Sequence, residues 1–275
     1  MLIESQILHY SNLIVAFGPS CLFVGLYILT RPQLFVVSIA SAAIYLLSFA
    51  AAAIVRLTVF PLQSNFLFLS IITVVSQEAF RLQYLKYYFL SRRRFSVIAV
   101  NAVLYPIHDL PSAVAAGLSW GIANAIMIYG DVMVRATGAA TIVSPRCPSM
   151  STPVVSAWAS FFTIIQHVAM MVIAYDAYRR WETHQQQQDE AIRNSDGEGR
   201  VSVLPSMRRS ALLAYGKVAA LNLSSVILGG LNLFHGGCVV YLIVEAFLTL
   251  FAVAMAFQTT HTRGYHSRRK KIHCE

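Results

Sequence analysis

The chain has 275 residues, of which 57% are hydrophobic and only 12% are charged, and its mean hydropathy is +0.60. An ordinary soluble domain carries roughly 25% charged residues, so this composition excludes a water-soluble fold of this length. The net charge of +9 would suit a nucleic-acid partner. However, the basic residues lie between long apolar stretches and not along one polar helix face. The sequence therefore predicts an integral membrane protein.

Seven apolar stretches are long enough to cross a bilayer. A membrane helix needs about twenty residues, because the hydrocarbon core is about 30 Å thick. Arg31 and Arg56 separate the first three stretches, and a glycine-rich break at 229–237 divides the last apolar region into two. The shorter apolar segment 95–107 is placed at the membrane surface. We predict an all-α polytopic membrane protein, a single transmembrane domain over 1–275, with helices at 6–29, 33–55, 57–79, 111–130, 154–175, 211–233 and 237–257.

The distribution of lysine and arginine predicts the orientation, because basic residues are retained on the cytosolic side of a membrane. If the N-terminus lies outside, nearly all basic residues fall in inner segments, including Arg81, Lys86 and the basic cytosolic tail 258–275. The stretch 181–210 contains a glutamine tract and a second polar run. It is too hydrophilic to pack a core, so we predict a flexible cytosolic loop there.

Polar side chains inside a bilayer are costly and are therefore the first candidates for function. His167 and Asn222 lie at nearly the same depth in the fifth and sixth predicted spans, and Glu245 lies about one turn nearer the outer face. These three residues form a candidate polar pocket. In the alternative interpretation each one makes a structural hydrogen bond worth about 1 kcal/mol. Lys217 is close enough to the inner face for its ammonium group to reach water.

Small residues recur at four-residue intervals along the fourth predicted span. Such a ridge lets another helix approach the backbone closely. The spacing is compatible with a docking surface for a partner helix and with ordinary packing inside the chain. We refer to these positions as the small-residue ridge: Ala113, Gly117, Gly121 and Ala125.

The four cysteines show neither the spacing of a zinc site nor the density of a disulfide scaffold. Cys147 and Cys238 would both lie at the outer face, where a disulfide between them is possible. The sequence does not decide whether they are joined.

The sequence shows no convincing catalytic set, and nothing in it indicates a metal or a cofactor. Asp131 and Asp176 superficially resemble an aspartyl-protease pair, in which two carboxylates meet and share a proton. They are predicted near opposite faces of the membrane, however, and zinc and serine-nucleophile motifs are absent from the sequence. The alternatives are a seven-helix receptor, which needs an outer ligand pocket, and a small-solute transporter, which needs a continuous polar path.

Several short motifs, taken in chain order, resemble those of the anterior-pharynx-defective family, the seven-span scaffold subunit of gamma-secretase. They comprise a Gly-Pro pair in the first span, a Gln-Glu-x-Phe-Arg element at the end of the third, a Gly-Leu-Ser-aromatic-Gly element in the fourth, and a histidine followed by Tyr-Asp in the fifth. The matching residues are Gly18, Pro19, Gln77, Glu78, Phe80, Arg81, Gly117, Gly121, His167 and Asp176.

This resemblance implies a non-catalytic subunit that holds presenilin, nicastrin and the small presenilin-enhancer subunit together. Such a subunit supports intramembrane proteolysis, including Notch signalling, in the endoplasmic reticulum, Golgi, plasma membrane or endosomes. The resemblance also implies that Gly117 and Gly121 serve assembly. Family members place histidines in the fifth and sixth spans, and His167 matches the first of them. Asn222 occupies the second position and cannot titrate near neutral pH, which favours a structural hydrogen bond.

Overall fold

The computed structural model describes residues 2–59, 65–98, 108–135, 147, 150–194, 205–234 and 236–272. Within this part of the chain, seven helices are long and apolar enough to cross a membrane, which confirms the predicted all-α, seven-span architecture. A short π-helical segment, Val24–Ile28, follows α1, and a 3-10 turn, Gly230–Leu233, follows α6. The helices are α1 Leu2–Phe23, α2 Pro32–Thr58, α3 Phe66–Ile98, α4 Asp109–Arg135, α5 Thr152–Asn194, α6 Pro205–Gly229 and α7 Gly237–Ile272.

Helix α5 is the central element of the bundle. It packs against α1, α4, α6 and α7, while α2 packs against α3 and α4. Its transmembrane part is the most deeply buried of the seven. At 43 residues, α5 is about 65 Å long and extends well beyond a 30 Å hydrocarbon core. Any polar side chain on its buried face must therefore find its partners on the surrounding helices.

The third predicted span was wrong at its start. Helix α2 continues through Thr58, and α3 begins at Phe66, so the range 57–79 overlaps the end of α2 and omits half of α3. A search for uncharged stretches cannot detect a helix break that contains no charge. The break is marked by Asn65, whose Oδ1 accepts the backbone N–H of Leu67 at 3.0 Å and so caps α3.

The predicted loop 181–210 is helical over most of its length. Helix α5 is unbroken to Asn194 and α6 begins at Pro205, while 195–204 lies outside the described residues. Glutamine, glutamate and arginine are good helix formers, and Arg93 of α3 forms an ion pair with Glu182 at 2.8 Å. A polar composition excludes a buried core, but it is compatible with a solvated helix.

Helices also extend into two other predicted segments. The surface segment predicted at 95–107 begins inside α3, which continues to Ile98, and 99–107 lies outside the described residues. Helix α7 continues through most of the predicted tail 258–275, ending at Ile272.

A disulfide joins Cys147 to Cys238, whose Cα atoms are 6.0 Å apart. It connects the segment before α5 to the first turn of α7, across a sequence separation of 91. Just before that turn, Gly236 has a φ of +74°, a conformation that glycine adopts without strain. We call this end of the bundle the disulfide end.

The opposite end of the bundle is rich in arginine, and we call it the basic end. Here Asp109, at the start of α4, forms an ion pair with Arg92 of α3. Its Oδ2 also lies 3.7 Å from Arg179 Nη1 of α5. Beside it, the hydroxyl groups of Tyr84 and Tyr175 are 3.0 Å apart. These contacts fix the ends of α3, α4 and α5 relative to one another.

Candidate functional site

A buried ion pair on α3 lies at the centre of the candidate site. Glu78 and Arg81 are one helical turn apart, so their side chains share a face of the helix and form a salt bridge. Only 7% of Glu78 and 1% of Arg81 is exposed. The Arg81 guanidinium also lies 5.3 Å from the ring centroid of Trp120 on α4. A buried ion pair is stable only when further hydrogen bonds satisfy its remaining atoms.

Two residues of α6 supply hydrogen bonds to Glu78. Asn222 Nδ2 donates to Glu78 Oε1 at 2.7 Å and to Gln77 Oε1 at 3.1 Å. The hydroxyl group of Tyr215 lies 3.0 Å from Glu78 Oε2 and 2.9 Å from the Glu78 carbonyl oxygen, and it donates to this pair of acceptors. The Glu78 carboxylate therefore accepts from an arginine, an amide and a hydroxyl, and these bonds join α3 to α6.

On the other side of the ion pair, His167 joins α5 to two more helices. Its Nδ1 lies 3.4 Å from Arg81 Nη2. Its Nε2 lies 2.9 Å from Asn124 Nδ2 on α4. The Asn124 oxygen in turn accepts from the Tyr45 hydroxyl on α2 at 2.6 Å. We call the connected set the polar network: Tyr45, Gln77, Glu78, Arg81, Asn124, His167, Tyr215 and Asn222.

The structure brings His167 and Asn222 into one network, but it does so through Glu78 and Arg81. Glu245 of α7 instead accepts a hydrogen bond from Ser225 Oγ of α6 at 2.7 Å. Within the described part of the chain, no hydrogen bond connects Glu245 to the polar network. An estimate of depth along a helix does not say which face of the helix each residue occupies.

Sequence reasoning misplaced or missed several members of the network. Arg81 was assigned to an inner segment just after the third predicted span, whereas it lies about 22 Å along α3 from the helix start and inside the candidate membrane span Phe66–Arg94. Tyr45, Asn124 and Tyr215 were not singled out. Tyr45 and Asn124 stand in apolar stretches without charge, and Tyr215 lies two residues before the more conspicuous Lys217. One signal was available: Asn124 is an amide on the same helix as the small-residue ridge.

The small-residue ridge is covered by α5 of the same chain. A methyl group on Gly117 would lie 2.7 Å from Val168 Cα and 2.9 Å from the His167 carbonyl oxygen. On Gly121 it would lie 2.8 Å from Ile164 Cα. Ala113 and Ala125 are also buried. Close packing inside the chain, one of the two interpretations of this spacing, therefore explains the ridge, and it holds His167 in position.

The remaining motif residues lie outside the polar network. Gly18 and Pro19 are inside α1, and a methyl group on Gly18 would contact the preceding turn of its own helix. Phe80 packs partly buried against the main core. Asp176 pairs with Arg180 one turn later, at 2.5 Å. Among the described residues, no group of three or more His, Cys, Asp or Glu side chains is placed to hold a metal ion.

These features define a multi-pass helical membrane protein whose central helices are joined by buried polar contacts. Comparison with known families matches residues 7–188 to the Aph-1 protein family. The chain belongs to the Aph-1 family. One relative, the gamma-secretase subunit APH1-like of Arabidopsis thaliana, is 29% identical over 178 residues, which cover 61% of this chain and 70% of the relative. The matched family range includes α2 to α4 and most of α5, whereas Tyr215 and Asn222 lie beyond it.

Proposed function

We propose that this chain is a non-catalytic scaffold subunit of a gamma-secretase-type intramembrane aspartyl protease complex. In this role it binds and stabilises presenilin, nicastrin and the presenilin-enhancer subunit. Membership of the Aph-1 family and the name of the Arabidopsis relative support this assignment. The observation that carries it is the polar network. Its side chains contact one another and connect the five helices α2, α3, α4, α5 and α6.

The carboxylates of the described helices support a non-catalytic role. An aspartyl protease requires two carboxylates close enough to share a proton. On the described helices, four acidic side chains are each paired with an arginine, and Glu245 instead accepts a hydrogen bond from Ser225. The pairs are Glu78 with Arg81, Asp109 with Arg92, Asp176 with Arg180, and Glu182 with Arg93.

The disulfide supports an orientation with the N-terminus outside. Disulfides persist in oxidising compartments, so the end that holds Cys147 and Cys238 faces the lumen or the cell exterior. Helices α1, α3, α5 and α7 begin on that side. The basic end then faces the cytosol, in agreement with the retention of arginine and lysine there. This orientation suits a multi-pass protein of the endoplasmic reticulum, Golgi, plasma membrane or endosomes.

The small-residue ridge serves assembly indirectly in this proposal. Because α5 occupies the space beside Gly117 and Gly121, a partner helix cannot dock on these glycines without displacing α5. The ridge instead fixes the position of α5, and so the outer faces of the bundle. Partner helices contact those outer faces, which carry exposed apolar side chains such as Ile14, Leu47 and Phe247.

Purification of the tagged full-length chain in a mild detergent, followed by mass spectrometry, tests the proposal. We expect presenilin-like and nicastrin-like proteins in the eluate. An unrelated multi-span membrane protein with the same tag and membrane level serves as the control, and it should recover neither. Recovery of the chain alone, or with G-protein subunits, would overturn the scaffold assignment and favour the receptor alternative.

A further inference from the structure

An open groove of about 150 Å³ lies at the basic end of the bundle, between the ends of α3 and α5. Helix α3 contributes Lys86 and Arg93 to its lining, and α5 contributes Tyr178, Trp181 and Glu182. The groove is separate from the polar network, and the proposed scaffold function does not use it.

The groove lies at the level of lipid headgroups. About twenty residues cross the hydrocarbon core, so a span that starts at Phe66 reaches its far boundary beside Lys86. Arg93 lies about 10 Å farther along α3. On α5, Tyr178 and Trp181 follow the corresponding boundary, and these residue types are enriched at membrane interfaces.

The charge around the groove favours an anionic ligand. Glu182 and Arg93 form an ion pair at 2.8 Å, so their charges offset each other and Lys86 supplies the net positive charge of the lining. Lys86 is exposed and forms no ion pair with any described side chain. The exposed Arg94 adds further positive charge nearby. A basic, aromatic-lined surface at this depth attracts anionic lipid headgroups.

The size of the groove and its surroundings fit a lipid headgroup better than a larger soluble ligand. At about 150 Å³, the open groove has room for several water molecules or for one small headgroup. Typical ligand pockets are larger, at about 300–1,000 Å³. Toward the membrane interior, Val75 and Leu82 are exposed on α3, where an acyl chain would lie along them.

We propose that this groove binds the headgroup of an anionic phospholipid. The lipid phosphate contacts Lys86 and Arg93, Trp181 lies beside the headgroup, and an acyl chain follows Leu82 and Val75 into the bilayer.

The fluorescence of Trp181 provides a direct test. The full-length chain carries Trp158→Phe, which removes an exposed tryptophan. The two tryptophans that remain are Trp181 and the fully buried Trp120. It is placed in nanodiscs that contain brominated phosphatidylserine or brominated phosphatidylcholine at equal mole fraction. We expect stronger quenching by the anionic lipid, and loss of this difference in a further Trp181→Phe variant. Equal quenching by the two lipids would overturn the proposal.

Matched lysine variants separate the groove from general surface charge. Lys86→Gln should lower the preference for phosphatidylserine about fivefold, the effect of one positive charge near a membrane surface, and Lys86→Arg should retain it. Lys217→Gln, at an exposed position of α6, should have little effect. An equal loss with Lys217→Gln would contradict a specific site.

Two further outcomes would also overturn the lipid assignment. Displacement of the brominated lipid by millimolar inorganic phosphate would assign the groove to a soluble anion. Protection of Trp181 from both lipids would show that a polypeptide segment covers the groove. Either result would leave the scaffold function intact, since the partner-recovery experiment tests that function independently.

Discussion

Asn222 of α6 and Glu78 of α3 are 144 positions apart in the sequence and are joined by a 2.7 Å hydrogen bond inside the bundle. Lipid cannot satisfy either side chain, so the bond favours the arrangement in which α3 and α6 are neighbours. Asn222 stands where the family resemblance implies a histidine, and here it acts as an amide donor to a buried carboxylate. Asn222 therefore stabilises the contact between α3 and α6 without providing a titratable group.

Asn222→Leu should destabilise the bundle, because Glu78 loses a donor while remaining buried. We expect a cost of about 1–3 kcal/mol, measured as a lower midpoint of thermal unfolding in detergent. Ser224→Ala is the control, since Ser224 is exposed on the same helix and its hydroxyl group donates to the Ala220 carbonyl oxygen one turn earlier. Equal midpoints for wild type and Asn222→Leu would show that this bond contributes nothing measurable.

Glu78 and Arg81 should show strong coupling in a double-mutant cycle. Glu78→Gln alone leaves the Arg81 charge buried without its partner, at a cost of about 3–5 kcal/mol. The double variant Glu78→Gln/Arg81→Met should cost less than the sum of the two single variants. Unfolding midpoints of the four proteins provide the measurement. Simple additivity of the two changes would mean that the pair is not energetically linked.

His167→Ala should weaken the bundle more than Lys217→Ala. His167 is buried and contacts both Arg81 and Asn124, whereas Lys217 is exposed on α6. We expect a loss of about 1–3 kcal/mol for the histidine and within about 0.5 kcal/mol for the lysine. Thermal unfolding and the yield of assembled complex are the measurements. Equal, negligible effects would remove His167 from the site.

The Cys147–Cys238 disulfide should be detectable and stabilising. Cys147→Ser should change mobility on a non-reducing gel and lower stability by about 2–4 kcal/mol, the usual effect of losing such a cross-link. Cys21→Ser is the control, because Cys21 is a free, exposed thiol. Identical mobility of the wild-type chain with and without reductant would contradict the bond, and with it the argument for the orientation.

The seven membrane helices could be predicted from the sequence, because a bilayer demands long uncharged stretches. The start of α3 could not, since the break around Asn65 contains no charge. Nor could the helical course of 181–194, because helix propensity and the contact of Glu182 with Arg93 compete with a composition typical of loops. Local composition thus located the spans but not all of their ends.

The candidate site was predicted only in part, because its contacts are distant in the sequence. His167 and Asn222 were identified from the rarity of polar groups in membranes. Their connection through Glu78 and Arg81 depends on which helix faces meet, and one sequence does not specify this. For the same reason, the sequence did not decide whether Cys147 and Cys238 form a disulfide. The family resemblance singled out Glu78 and Arg81 as motif residues without indicating what they contact.

The most direct test of the account compares two alanine substitutions on α4. Gly117→Ala places a methyl group 2.7 Å from the Val168 backbone, whereas the methyl group of Gly130→Ala would have no neighbour within 4 Å. At equal membrane levels of the tagged chain, we expect Gly117→Ala to reduce recovery of presenilin-like and nicastrin-like proteins at least several-fold. Gly130→Ala should match wild type, because both changes raise helix propensity equally. Full recovery with Gly117→Ala would contradict the claim that α4–α5 packing underlies assembly.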